Sequence, residues 1–149
     1  MLVVQITILL IGLYISFYVL YELSLILIHF FMSGKNFGKY TPVTTFKIVI
    51  PAHNEELLLG RLLRSVRNQD YPQGLYDVLV VADNCTDQTA TIAEREGVRT
   101  LERKDSRFAG KGYAIKYGLE YLANESYSAA FIVDADSIVD ETALKELDR

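Results

Sequence analysis

Phe46-Lys47-Ile48-Val49-Ile50-Pro51-Ala52-His53-Asn54-Glu55 passes directly from a β-branched apolar run into a polar loop. A run this short and this apolar, stopped by a proline, reads as a buried strand. Downstream, Glu55 to Gln69 sets Leu58, Leu59, Leu62, Leu63 and Val66 at spacings of three and four, with Arg61, Arg64 and Arg67 elsewhere on the wheel. That pattern predicts an amphipathic helix, closed by Tyr71-Pro72. Tyr76 to Ala82 is a second strand, and Asp87 can cap a helix running through Glu96 and ending at Gly97. Val98 to Glu102 is a weaker third strand. Ala114, Ile115, Gly118, Leu119 and Leu122 give a third helix its apolar stripe, Ala129 to Val133 is a fourth strand, and Asp140 opens a last helix that runs to Arg149. Each connection between strands contains a whole helix, which requires parallel pairing with right-handed crossovers. The expected fold is an open α/β sheet.

Ligands of such sheets sit beyond the carboxyl ends of the strands. The residues at those ends are Pro51-Ala52-His53-Asn54-Glu55, then Asp83-Asn84-Cys85-Thr86-Asp87, then a basic stretch with Arg103, Lys104, Arg107 and Lys111, then Asp134-Ala135-Asp136. Asp134 and Asp136 flank one small residue after an apolar strand, a pattern that suits a hard divalent cation, Mg²⁺ or Mn²⁺, together with a diphosphate. The pattern alone is weak, because such pairs also occur in surface turns. Lys111, between Gly110 and Gly112 at a helix entrance, can meet a phosphate or simply start the helix. Asp83 can accept hydrogen bonds from a nucleobase or ribose, or belong to a helix-capping turn. Residues Asp83 to Glu94 have the length of a calcium loop, but Cys85 and Gln88 stand where an oxygen ligand and a glycine are needed, which excludes it. Nothing marks His53 and Cys85 as an activated nucleophile pair.

Upstream of Phe46 the chemistry changes. The first 32 of 149 residues are far too apolar for a soluble domain, and from Met1 to Tyr21 there is no charged side chain. A helix of roughly 20 apolar residues crosses a bilayer core, so Leu2 to Tyr21 suffices, with Leu23 to Met32 as an interfacial continuation. That register sets Tyr18 and Tyr21 at the headgroups and keeps Glu22 out of hydrocarbon, whereas a later one would bury Glu22. A cleaved signal peptide would need a basic n-region, a short apolar core and a small-x-small site, none of which is present. Residues 1–32 are therefore expected to form an uncleaved anchor and 33–45, with Gly34, Gly38 and Pro42, a linker. Lys35, Lys39 and Lys47 follow the anchor with no acid before Glu55, which places the remainder on the cytoplasmic side of the cell membrane.

All 15 Lys and Arg but only 18 of the 19 acids lie after Met32, so that portion carries a net −3 and no nucleic-acid partner is expected. The single cysteine excludes an internal disulfide and a cysteine-rich zinc module. The mean hydropathy of +0.16 averages an apolar and a polar part.

Ile48-Val49-Ile50-Pro51-Ala52-His53-Asn54-Glu55-Glu56, Val80-Val81-Ala82-Asp83-Asn84-Cys85-Thr86-Asp87, Gly110-Lys111-Gly112-Tyr113-Ala114 and Val133-Asp134-Ala135-Asp136 occur in the order found in family 2 glycosyltransferases, and the chain resembles that family over residues 46 to about 142. The resemblance implies a GT-A fold, an open, mainly parallel, Rossmann-like sheet with flanking helices, and binding of a nucleotide-sugar donor, usually a UDP-sugar. It implies Pro51, Ala52, His53, Asn54, Glu55 and Asp83 around base and ribose, Lys111 near the nucleotide, Asp134 on the sugar nucleotide, and Asp136 as ligand of the Mg²⁺ or Mn²⁺ that bridges the diphosphate. Members with an amino-terminal membrane helix resemble synthases of polysaccharide or glycolipid, which implies a carbohydrate or lipid-linked acceptor. The family often carries a second acid where this chain has Ala82-Asp83-Asn84. Its inverting general base, and the Gln-x-x-Arg-Trp-like motif of processive members, would fall beyond Arg149, and the chain has no Trp. Residues 46–149 are thus expected to be a truncated donor-binding half with an incomplete sheet, inactive alone. Two other classes stay open: a non-catalytic, membrane-anchored nucleotide-sugar binding or scaffold subunit, and a sugar nucleotidyltransferase, for which the glycine-rich phosphate loop after the first strand is missing.

Overall fold

A computed structural model describes residues 1–32 and 41–149. The expected linker therefore lies outside the described residues over 33–40, Lys35 and Lys39 included. The chain divides into two compact units, Met1–Tyr40 and Thr41–Arg149.

In the first unit a single helix, α1, spans Leu2–Met32. Its stretch Leu2–Phe30 is long and apolar enough to cross a membrane. Two hydroxyl side chains within it turn back on the helix: Thr7 Oγ1 donates to the Val3 carbonyl at 2.9 Å and Ser24 Oγ to the Tyr21 carbonyl at 2.7 Å. Internal satisfaction of this kind is what an apolar solvent demands.

The second unit is a parallel sheet of four strands, β1 (Phe46–Ala52), β2 (Tyr76–Asp83), β3 (Arg99–Arg103) and β4 (Ala129–Ile132), in the spatial order β3-β2-β1-β4. Four helices accompany it, α2 (Leu59–Arg67), α3 (Thr89–Arg95), α4 (Lys111–Leu122) and α5 (Ala143–Leu147). The chain steps outward from β1 to β2 to β3, then returns through α4 to lay β4 on the other side of β1. That reversal beside β1 is the switch point at which open α/β sheets bind ligands.

Strand alternation sorts the core into two layers. Val49, Leu79 and Val81 meet Ala114 and Leu122 of α4 in one buried cluster, against which Leu101, Leu119, Tyr127 and Ile132 also pack. The opposite face carries buried Ile48, Ile50 and Val80, and α2 buries Leu59, Leu62, Leu63 and Val66. At the closest approach of α4 to the sheet, a Cβ on Gly118 would lie 2.9 Å from Val81 Cγ2 and 3.1 Å from Val49 Cγ1, so only glycine lets the helix lie so near.

Two expected helices begin later than the spacing suggests. α2 starts at Leu59, not Glu55: residues 55–58 form a turn whose Glu55 carbonyl accepts from the Leu58 and Leu59 amides at 3.1 and 2.9 Å, while the amides of Glu55 and Glu56 donate to the Thr89 hydroxyl at 2.8 Å and the Asp87 carboxylate at 3.1 Å. α5 likewise starts at Ala143, after Asp140 has accepted from the Thr142 amide and hydroxyl at 2.9 and 2.7 Å. Asp87 binds Thr89 in the same way ahead of α3, at 3.0 Å to its amide.

Candidate active site

Beyond the carboxyl ends of β1, β2 and β4 lies a cavity of about 530 Å³, lined by Pro51, Ala52, His53, Glu55, Asp83, Asn84, Lys111, Asp134 and Asp136, with Ala109, Gly110, Ala114 and Ala135 between them. It brings together eight of the nine expected site residues. The ninth, Asn54, faces the neighbouring loop: its Oδ1 accepts from the Thr86 amide at 2.8 Å.

The loops that carry these residues are latched in series. Asn54 and Asn84 each follow their strand with a left-handed φ, 56° and 51°. Asparagine is among the few side chains that tolerate that region. Asn54 reaches from the β1 loop to the β2 loop, and Asn84 reaches from the β2 loop to the β3 loop, where its Oδ1 accepts from the Asp105 amide at 2.8 Å and its Nδ2 donates to the Asp105 carbonyl at 3.2 Å. His53 Nδ1 donates to the Asp83 carbonyl at 2.7 Å, while the Cys85 thiol donates to the Ala52 carbonyl at 3.5 Å. Neither group polarises the other. Burial pushes the Cys85 thiol above its ordinary range, away from thiolate chemistry.

Asp83 is only 4% exposed, which a carboxylate tolerates only when paired. Its partner is Arg103, whose Nη1 donates to Oδ1 at 2.5 Å. The two residues are register partners on adjacent parallel strands, β2 and β3, so the sheet itself sets them side by side. Asn84 Nδ2 also donates to Oδ1, at 3.1 Å, and the Gly110 amide approaches Oδ2 at 3.4 Å. Within the basic stretch Arg103 to Lys111, Arg103 is thus committed to an ion pair. Sequence spacing gave no sign of this pairing across 20 residues beyond the presence of one acid and one base at successive strand ends.

Lys111 is the first residue of α4, after Gly110 at φ 123°, a conformation L-residues rarely adopt. Its ammonium pairs with Asp134 across the cavity mouth. Asp134 and Asp136 are both exposed and flank a buried Ala135, in a turn after β4 that the Ser137 amide closes by donating to the Asp134 carbonyl at 3.0 Å. Among the described residues no group of three or more His, Cys, Asp or Glu side chains gathers as a metal cage. A carboxylate pair with an adjacent cation is instead suited to a ligand that brings oxygen donors of its own.

Comparison with known proteins agrees with this arrangement. The family model "Glycosyl transferase family 2" matches residues 47–147. A 4,4'-diaponeurosporenoate glycosyltransferase of Staphylococcus aureus is 36% identical over 92 residues, which cover 60% of this chain and 23% of that protein. Among solved structures, S. aureus TarS 1-349 in complex with UDP-GlcNAc is 27% identical with a TM-score of 0.59, covering 69% of this chain and 30% of that one. Glucosyl-3-phosphoglycerate synthase of Mycobacterium tuberculosis, in complex with Mn²⁺, UDP and phosphoglyceric acid, is 26% identical with a TM-score of 0.53 over 66% of this chain and 36% of that one. The chain thus spans about a quarter to a third of the length of the proteins it matches. The sheet order, the cavity at its switch point and a family match over most of its length together show that the chain belongs to glycosyl transferase family 2.

Proposed function

We propose that the cavity binds a UDP-sugar and that the full-length protein is a membrane-anchored, inverting glycosyltransferase that builds a polysaccharide or glycolipid. The observation that carries this reading is the order of groups across one cavity: Asp83 after β2, Lys111 at the start of α4, Asp134 and Asp136 after β4. β2 and β4 flank β1, so their ends are separated by two interstrand spacings, about 10 Å, the scale of a nucleoside diphosphate. In this reading Pro51, Ala52, His53, Glu55 and Asp83 meet the base and ribose, and Asn54 latches the loop that carries the first four. Lys111 exchanges Asp134 for a phosphate, and the freed Asp134 turns to the sugar nucleotide. The complexes of TarS with UDP-GlcNAc and of the synthase with UDP and Mn²⁺ support the donor class.

Asp136, with Asp134 beside it, fits a divalent cation, since Mg²⁺ and Mn²⁺ are commonly held by one or two carboxylates with phosphate and water completing the shell. Bound there, such an ion would stabilise charge on the leaving diphosphate. The anchoring role falls to α1, and Lys35, Lys39 and Lys47 after it support a cytoplasmic domain.

The test is calorimetry and turnover on the full-length protein in detergent. UDP should bind, and bind more tightly with Mn²⁺ or Mg²⁺. Asp136→Ala should remove the metal-dependent increment and lower UDP-sugar turnover by on the order of 100-fold. Unchanged turnover in Asp136→Ala would sink the metal assignment, and a wild-type protein that ignores UDP would sink the donor assignment.

A further inference from the structure

We propose that Arg103 is a positioning residue of the donor site, holding the Asp83 carboxylate so that one defined oxygen faces the cavity and thereby setting the preference for the nucleobase. The inference rests on the donor reading above and adds to it a residue outside the cavity lining. Arg103 and Asp83 form a nearly buried pair, with side chains 10% and 5% exposed. Every strong bond to the carboxylate falls on one side: Oδ1 accepts from Arg103 Nη1 at 2.5 Å and from Asn84 Nδ2 at 3.1 Å. Among the described residues Oδ2 has only the stretched contact to the Gly110 amide at 3.4 Å, which leaves it acceptor capacity toward the cavity that Asp83 lines.

The same guanidinium fastens the opposite wall. Nη2 donates to the Phe108 carbonyl at 2.8 Å, the Asp105 carboxylate lies 3.8 Å away, and the Tyr113 ring sits 5.9 Å from the guanidinium carbon. Arg103 is thus one rigid fork joining the acid at the end of β2 to the loop that presents Gly110 and Lys111. A lysine could keep the charge but could not reproduce two fixed, diverging bonds.

A carboxylate pinned in this way is an acceptor in a fixed direction. It favours a base whose edge offers an N–H there, as uracil does, over one that offers a lone pair, as cytosine does. Freed from Arg103, Asp83 can rotate and hydrate, and the discrimination should shrink along with the affinity. A residue that merely braced the loop would weaken all nucleotides alike.

The experiment compares UDP and CDP binding by calorimetry, with Mn²⁺ present, in the full-length wild type, Arg103→Gln, Arg103→Lys, Asp83→Asn and the Asp83→Asn/Arg103→Gln double variant, with thermal unfolding of each unliganded protein. The expected result is a UDP affinity about tenfold weaker in Arg103→Gln, a smaller UDP-to-CDP ratio, partial rescue by Arg103→Lys, and a double variant no weaker than Asp83→Asn alone. Equal losses for UDP and CDP, or additive losses in the double variant, would overturn the positioning role. Should Arg103→Gln fail to fold, the comparison of Arg103→Lys with wild type decides the same question. Absence of UDP binding in the wild type would instead defeat the donor reading itself, whereas normal UDP binding and selectivity in both Arg103 variants would defeat this inference alone.

Discussion

Cys85 shows what a residue's neighbours take away from it. It lies one residue after left-handed Asn84, with its thiol against the Ala52 carbonyl and near the Asn54 amide, both at 3.5 Å. Burial raises its pKa, so the thiolate fraction at neutral pH falls below that of a free cysteine. Alkylation by iodoacetamide at pH 7.5 should accordingly run several-fold slower than for a model thiol, and a rate equal to the model's would contradict the buried, hydrogen-bonded geometry. The same residues mark the limit of sequence reading at this scale. Asp83, Asp134 and Asp136 were legible because charged side chains directly after apolar strands are conspicuous, and Lys111 because two glycines flank it at a helix entrance. Arg103 and Asn84 were not, since their roles depend on which atoms of which loop they reach, a matter of register and backbone hand rather than of spacing.

Among the elements, the central strands β1 and β2 were readable from the apolar runs Ile48 to Ile50 and Val78 to Ala82, as strands covered on both faces are, and β4 from its short run Ala129 to Ile132. β3, at the edge opposite β4, carries less apolar surface and lies one residue later than Val98 to Glu102 suggests. Helix α2 was recognisable from its stripe but not from its start, because the turn at 55–58 is fastened through the Glu55 and Glu56 amides to acceptors on another loop. The tightest joint between elements is α4 on the sheet at Gly118. Gly118→Val would drive a branched side chain into Val81 and Val49, two stiff residues of central strands, and should cost about 1–3 kcal/mol, read as a lower unfolding temperature. Gly74→Ala, where an added methyl meets nothing within 4 Å, is the matched control and should move stability far less. Equal behaviour of the two would mean that α4 has room to withdraw.

For the whole α/β unit, the two ends of the sheet carry different duties. The site occupies the carboxyl ends, while at the amino ends Lys47, Asp77, Arg99 and Glu125 close a ring of ion pairs: Lys47 Nζ lies 3.0 Å from Asp77 and 2.6 Å from Glu125, and Arg99 contacts both acids. Hydrogen bonds from Lys47 and then Arg99 hold the Glu125 carboxyl below the usual carboxylate range. The folded state therefore binds its proton later than the unfolded chain does, so this stabilisation is complete at neutral pH. It is lost as pH falls from about 4 through the depressed folded value. Glu125→Gln should flatten that part of the acid limb of thermal stability while leaving UDP affinity at pH 7 unchanged, because it stands at the far end of the strands. A wild-type acid profile in the variant would remove the ring from the account of stability.

The Asn54 and Asn84 latches also bear on how the site can be re-engineered. Each specificity loop is closed by a donor or acceptor supplied by the next, Thr86 for the first and Asp105 for the second. A graft of the β1 loop alone from another transferase would strand an asparagine, or whatever replaces it, in a left-handed turn with no partner to hold it there. The exchangeable cassette is the three loops together, and a recombination library cut between them would discard most of its members before specificity could be sampled.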